Sequence, residues 1–443
     1  MQLVPTRKLL LLALFAALPL LVATIVPAFL IVAIACFIGL IALALWDALH
    51  APGHADFLVS REYDARLSLA ESNPVWLRVV WTSADRFPAR ALRLLVRDET
   101  PPGIPTDHEP FAGEIAPGGA WSGGYHLRPL RRGDYPFGRI VLRVESLIGL
   151  FMRQLSYPGG DPARVYPNLR AIRRYDMLAR RGRLHEAGLR RTRLRGSGTE
   201  FERLRDYLPD DDFRRINWKA TARRRQPVTT EYETERSQNL VIALDTGRLM
   251  GTPIQGMIKL DYAINSALLL AYVAMEMGDR TGLLAFADRV GRFTPLARGQ
   301  RQLQLMIEQL YNVGSQPVES DQALALRFLA GRQLKRSLIV LFTDLSESAD
   351  QEPFVAALGL LARRHLPVCV MASNPDIVRL AAAAPTDMRQ AYEKVVAQRL
   401  LDERRTLIDR LERQGSLVID VPAEQLTTSI VNRYLEIKAR AQL

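Results

Sequence analysis

The chain has 443 residues, 48% hydrophobic and 24% charged, with a formal net charge of +12. That length asks for two or three domains, and the apolar content excludes global disorder. Two distant cysteines, Cys36 and Cys369, exclude a disulfide scaffold or a cysteine-based zinc site, and six scattered histidines show no ligand spacing, while the positive balance favours an acidic partner such as nucleic acid, anionic lipid or an acidic protein face.

The strongest local signal lies in residues 1–50. No charged residue occurs from Leu9 to Trp46. A single straight helix of that length would run about 57 Å, well beyond a hydrocarbon core of about 30 Å. Pro19 and Pro27 interrupt the stretch, so it reads as two short spans, 9–26 and 28–46, turning at Pro27. A cleaved signal peptide is the rival, but the apolar run exceeds an ordinary signal core of about 7–15 residues. Arg7 and Lys8 flank the first span, which puts the N-terminus in the cytoplasm, and a hairpin returns the chain there. Trp46 suits the membrane interface.

Residues 55–167 change texture. Short β-rich runs at 75–82, 91–98, 124–130 and 138–144 alternate with turn clusters such as Pro101-Pro102-Gly103 and Pro117-Gly118-Gly119. The spacing predicts a small all-β sandwich. Arg131-Arg132-Gly133-Asp134-Tyr135 reads as a turn before a strand, and no nucleophile, metal cluster or phosphate loop is present.

Residues 168–197 form a connector dense in arginine between Arg170 and Arg195, with Tyr175 its single aromatic residue. Cationic nucleic-acid surfaces interleave stacking rings with their charges, so this stretch argues poorly for nucleic acid. It reads as a solvated or partner-docking linker, or as a contact for anionic headgroups.

Residues 198–236 carry a specific block: Gly198-Thr199-Glu200-Phe201, Arg205-Asp206-Tyr207, Pro209-Asp210-Asp211-Asp212, Arg214-Arg215-Ile216-Asn217-Trp218, and Thr221-Ala222-Arg223. Asp211 and Asp212 after Pro209 suit a helix N-terminus. Arg205, Arg214 and Arg223 are of a kind to pair with them bidentately. Tyr207 and Trp218 are expected to anchor the segment to a core. Acid–base work by the carboxylates is the rival, with no histidine or activated nucleophile nearby.

This block resembles the signature of the bacterial family called domain of unknown function 58, G-x-E-F, R-x-Y-x-P-G-D-D-x-R-x-I-D/N-W and T/S-A-R, with Asp210 in place of the family's glycine. The resemblance implies a membrane-anchored protein, and with the two spans and their flanking charges the expected location is the bacterial inner membrane, multi-pass, with most of the chain cytoplasmic. It also implies a von Willebrand factor A-like domain and association with a MoxR-type AAA+ ATPase.

Residues 237–443 alternate apolar runs with amphipathic stretches. Strands are expected at 239–245, 281–286, 291–296, 337–344, 366–372 and 417–421, and helices at 259–277, 302–311, 321–329, 387–413 and 426–440. The alternation predicts a doubly wound α/β sheet of Rossmann type. Ligands on such sheets bind at the carboxyl ends of strands, where Asp245 and Asp344 fall. Asp245-Thr246-Gly247-Arg248 lacks a dinucleotide fingerprint. The arrangement resembles the metal-ion-dependent adhesion site of von Willebrand factor A domains. Asp245 fits its first aspartate, Asp344 its last and Ser320 its threonine, but its two serines fall on Gly247 and Leu249. Mg²⁺ wants near-octahedral oxygen, and neither Gly247 nor Leu249 supplies a hydroxyl, so metal binding is doubtful. Without it, Asp245 and Asp344 read as strand-end caps.

Elsewhere Met257, Met275 and Met277 read as core fillers, Cys369 as a buried, inert thiol, and His365 as a cation at a helix end, suited to the dipole. The expected function is that of an anchored interaction protein, not an enzyme, with the lipid bilayer and a protein as partners. The alternatives are a hydrolase using Asp245, Asp344 and Asp211, and a membrane tether for nucleic acid.

Overall fold

The computed structural model describes residues 2–83, 90–107, 110–180, 200–208, 213, 216–224, 226–233, 238–332, 335–345 and 351–440. The chain forms two compact units, Met1–Tyr166 and Pro167–Leu443, and its architecture is mixed α/β and multidomain.

In the first unit, strand β1 (Gln2–Pro5) leads into helix α1 (Arg7–Ala23), and helix α2 (Phe29–Leu49) returns after a short turn containing Pro27. Helix α2 is apolar and long enough to cross a bilayer. Ten strands follow: β2 (Phe57–Tyr63), β3 (Arg66–Ser68), β4 (Asn73–Trp81), β5 (Leu92–Asp98), β6 (Phe111–Ile115), β7 (Ala120–Leu127), β8 (Gly133–Tyr135), β9 (Ile140–Glu145), β10 (Phe151–Tyr157) and β11 (Ala163–Tyr166). They build sheets in the orders β1-β10-β9-β5-β6, β2-β4-β7 and β3-β11-β8. The period of two is plain in β4, where Val75, Leu77, Val79 and Trp81 are buried and Trp76 and Arg78 face outward. Two of these sheets are tied by a buried ion pair between Arg61 of β2 and Asp98 of β5, to which Tyr125 of β7 adds a hydrogen bond of 2.7 Å.

The helices are fastened to this β structure without a slack linker. Asp47, fully buried near the end of α2, accepts from the Ser146 hydroxyl and from the amides of Ile148 (2.8 Å) and Leu150 (3.0 Å). A carboxylate at a helix C-terminus opposes the dipole, and these three donors offset that. Arg153 donates to the carbonyls of Ala48 and Ala51, satisfying the helix end. At the other helix, Lys8 pairs with Glu145 at 2.9 Å, and the Thr6 hydroxyl donates to the Gly149 carbonyl.

The second unit begins with helix α3 (Leu169–Arg180), whose Tyr175 meets Tyr272 edge-on. Strand β12 (Glu200–Asp206) pairs with β13 (Val228–Glu233) around helix α4 (Trp218–Arg224). A larger sheet follows from β14 (Asn239–Asp245), the two-residue strands β15 (Pro253–Ile254) and β16 (Met257–Ile258), helix α5 (Lys259–Glu276), β17 (Arg280–Phe286), β18 (Val290–Ala297), helices α6 (Gln300–Tyr311) and α7 (Gln322–Ala330), β19 (Leu338–Phe342), helix α8 (Glu352–Ala362), β20 (Leu366–Ser373), helices α9 (Pro375–Ala382) and α10 (Met388–Arg413), β21 (Leu417–Pro422) and helix α11 (Leu426–Ala439). The order is β18-β17-β14-β19-β20-β21, parallel except for β18 on the edge.

Parallel strands covered on both faces read as continuous apolar runs, and β14 is buried from Leu240 to Asp245. One face packs Val241, Ala243, Ile339 and Leu341 against α7, α8 and α10. Helix α5, buried along most of its length, lies on β14 and β17, with α11 beside it. The strand order reverses between β14 and β19. A crevice is expected outside the carboxyl ends at such a point, and Asp245 and Asp344 stand there.

Candidate functional site

The two aspartates have different surroundings. Asp245, the last residue of β14, is 1% exposed. Its Oδ1 accepts from the Gly247 amide at 2.8 Å and from the Ser320 hydroxyl, and its Oδ2 accepts from the Thr343 hydroxyl at 2.7 Å. The Gln322 amide reaches Oδ2 at 3.4 Å. Every one of these donors is uncharged. Burial therefore pushes the Asp245 carboxyl above its ordinary value, and the hydrogen bonds from Ser320 and Thr343 only partly oppose it.

Asp344 faces cations. The Lys259 ammonium, at the first position of α5, donates to Oδ2, and the Arg404 guanidinium of α10 donates to Oδ1 at 3.0 Å. Arg404 also grips Asp420 of β21 with two parallel bonds of 2.8 and 3.0 Å. Burial lowers the tendency of Arg404 to stay charged, but Asp420 and Asp344 raise it by more. The cluster therefore contains two cations and two carboxylates and balances on its own.

The residues at the expected metal position do not fit a divalent cation. Mg²⁺ requires oxygen ligands converging at about 2.0–2.1 Å, whereas each carboxylate oxygen of Asp245 and Asp344 already accepts a hydrogen bond, two of them from cationic groups. Gly247 is backed so closely that a Cβ there would stand 2.0 Å from Ser320 Oγ, so the Ser320 hydroxyl occupies the space a side chain at 247 would need. Leu249 instead lines a cleft of about 530 Å³ with Lys259, Asp344, Met371, Ile377, Leu400 and Arg404.

The signature block is placed only in part. Glu200, Phe201 and Arg205 lie on β12, with Phe201 opposite Tyr232 and Arg205 opposite Thr229; their side chains, and Asp211, Asp212 and Arg214 entirely, lie outside the described residues. The Tyr207 amide donates to the Pro227 carbonyl at 2.9 Å. The expectation that Trp218 anchors a core is overturned: it is 70% exposed at the first position of the seven-residue helix α4, with Phe213 and Leu208 exposed as well. Arg223 is exposed too. The helix cap is Asn217, which accepts from the Ala220 amide at 3.0 Å.

A second correction concerns His365. It follows α8 and is buried, with no hydrogen-bond partner on Nδ1. Burial first and Arg364 second hold its pKa below the ordinary value, so it is a neutral ring and not a dipole-stabilised cation. Cys369 is fully buried, and burial pushes its thiol up to about 12.

Sequence reasoning missed Lys259, Thr343, Arg404 and Asp420. The available signal for Lys259 was a lone lysine heading an otherwise apolar helix. Arg404 and Asp420 carry no local mark, because only the fold lets Arg404 of α10 bridge Asp344 after β19 and Asp420 of β21.

The site is thus a balanced ion cluster at the switch point of a largely parallel α/β sheet. Residues 203–406 match the model of the family described as "Protein of unknown function DUF58", and the resemblance carried by the signature is shown. The chain is 23% identical over 209 residues to the uncharacterized protein Rv1480 of Mycobacterium tuberculosis, covering 47% of this chain and 65% of that one. It is 24% identical over 291 residues to the uncharacterized protein YeaD of Bacillus subtilis, covering 66% of each. The matches therefore span just under two thirds of these relatives. Among solved structures, BatB from Bacteroides thetaiotaomicron aligns with 46% of this chain and 99% of its own at 13% identity and a TM-score of 0.34. An aerotolerance-related membrane protein from Bacteroides fragilis aligns with 45% and 98% at 15% identity and a TM-score of 0.32.

Proposed function

We propose that this protein is a membrane-anchored docking platform and not an enzyme. In this reading α1 and α2 cross the bacterial inner membrane as a hairpin, with Arg7 and Lys8 on the cytoplasmic side. The β unit and the α/β unit are cytoplasmic. The α/β unit is a doubly wound, von Willebrand factor A-like domain that receives a protein partner at its strand ends. Family resemblance suggests a MoxR-type AAA+ ATPase as that partner.

One observation carries the reading. The strand-end carboxylates are held in hydrogen bonds and ion pairs, while the adjoining cleft is walled mainly by Leu249, Met371, Ile377, Leu400, Leu401 and Leu407. Asp344, held by two cations, is a poor general base, and an apolar wall beside a polar floor suits a side chain of a protein partner.

The test is cross-linking in native membranes followed by mass spectrometry, comparing the wild type with Leu400→Asp. Leu400 is 41% exposed, so the substitution leaves the core alone. An AAA+ ATPase recovered with the wild type and lost with Leu400→Asp supports the reading. Equal recovery from both proteins, no cross-linked ATPase, or turnover of a phosphoester or peptide abolished by Asp344→Asn contradicts it.

A further inference from the structure

We infer that the Lys259 ammonium is the resident cation of the strand-end site, filling with a side chain the role that a divalent metal would have there. The inference does not depend on whether a protein docks in the cleft.

Three observations on this chain's own residues carry it. First, Lys259 occupies an expensive position. It is the first residue of α5, where the helix dipole repels positive charge, and its side chain is only 9% exposed. Its one acceptor among the described residues is Asp344 Oδ2. A lysine placed there for solubility or packing would be disfavoured, whereas one that neutralises a buried carboxylate is favoured.

Second, among the described residues the charges close without a metal. Lys259 and Arg404 balance Asp344 and Asp420. Glu403, which lines the cleft, pairs with Arg399; among the described carboxylates there Asp245 lacks a cationic partner, and four uncharged donors surround it. A divalent ion would bring two positive charges to a cluster with at most one to neutralise.

Third, the coordination positions are filled by the chain itself. The Ser320 hydroxyl lies where a side chain at residue 247 would project, and it donates to Asp245 Oδ1. Thr343 covers Oδ2. A metal would have to displace Lys259 from Asp344 and reach the remaining lone pairs of the Ser320 and Thr343 hydroxyls, whose protons already serve Asp245.

The test uses the full chain in detergent, with Mn²⁺ as an electron paramagnetic resonance probe and unfolding followed in millimolar MgCl₂ or EDTA. The wild type is expected to show no saturable Mn²⁺ signal and the same Tm in both buffers. Lys259→Ala uncovers Asp344 Oδ2 and is expected to gain a saturable Mn²⁺ signal and a Tm higher by about 3 °C in Mg²⁺ than in EDTA. Adding Asp344→Asn to that variant abolishes both gains, and Lys259→Arg behaves as the wild type. If Lys259→Ala folds poorly, its refolding yield with and without Mg²⁺ reads the same dependence. Saturable Mn²⁺ binding by the wild type that Asp344→Asn removes overturns the inference, as does a Lys259→Ala protein indifferent to divalent ions in signal, Tm and refolding yield.

Discussion

Removing one member of the Lys259–Asp344 pair should reveal how strongly the α/β unit depends on it. Their side chains are 9% and 8% exposed, so solvent screens them little. Asp344→Ala leaves the Lys259 ammonium buried with no acceptor, while Arg404 retains both bonds to Asp420. Breaking a buried pair from one side costs about 3–5 kcal/mol. For a unit of this size that lowers Tm by roughly 6–20 °C. Lys259→Met is milder, at about 1.5–3 kcal/mol, because Asp344 still accepts from Arg404 and from the Leu345 amide. The double variant Lys259→Met/Asp344→Ala removes both charges together, so no unpaired ion is left buried. It should therefore be more stable than Asp344→Ala alone, with a coupling of about 2–3 kcal/mol. The assay is urea unfolding of the three variants followed by hydrogen exchange of the buried amides of β14 and β19 in the α/β unit. A cost for Asp344→Ala under about 1 kcal/mol, the range of exposed pairs, or strictly additive single effects, would refute the reasoning.

Other outcomes follow from the same geometry. Gly247→Ser, which restores one serine of the adhesion-site motif, sets its Cβ against Ser320 Oγ and 2.9 Å from the Val318 carbonyl. It should lower stability by about 1–3 kcal/mol, and adding Ser320→Gly should recover part of that in the same melt. Asp47→Ala strips the Ser146 hydroxyl and two amides of their acceptor. With a cost of about 1–3 kcal/mol for a buried group left unpaired, it should speed proteolysis of the 146–150 loop in detergent; unchanged cleavage would count against Asp47 as the fastening of α2. For His365 the folded pKa lies below the unfolded one. The unfolded chain therefore binds the proton first, and stability declines as pH falls below about 6.5. His365→Phe should flatten that acid limb, measured as Tm against pH, and an unchanged slope would show that other groups set it.

The elements legible from sequence were those whose pattern is local. Strand β14 stands out as an apolar run ending in aspartate, helix α5 as a long buried helix, and β4 as a strict alternation. Helix α9 escaped notice because eight residues beginning Pro375 look like a loop, although Asn374 caps it by accepting from the Asp376 amide. Strands β2, β6 and β10 were missed because polar residues and glycine break their apolar alternation. At the site, Asp245, Gly247 and Ser320 were legible because a motif spacing names them. Lys259, Arg404 and Asp420 were not, because an ion cluster is assembled by tertiary structure and leaves no spacing to read. Trp218 was misread because size alone was taken to imply burial, and on a helix of seven residues one side can remain uncovered.

The proposed role joins these observations. Helices α1 and α2 are tied to the β unit through Asp47, Arg153 and Lys8, so an anchor there would hold that unit without a flexible tether. The α/β unit presents a cleft whose charged floor is already neutral. Such a floor sets the shape of a docking site without the need for a metal or a turnover step.

The most direct measurement of that role is site-specific photocross-linking in native membranes, with the reactive group placed at Leu400 beside the cleft and, as a control, at exposed Arg298 on the loop after β18. The account predicts that an AAA+ ATPase is captured from Leu400 and not from Arg298. Capture from both positions alike, or from neither, would contradict it.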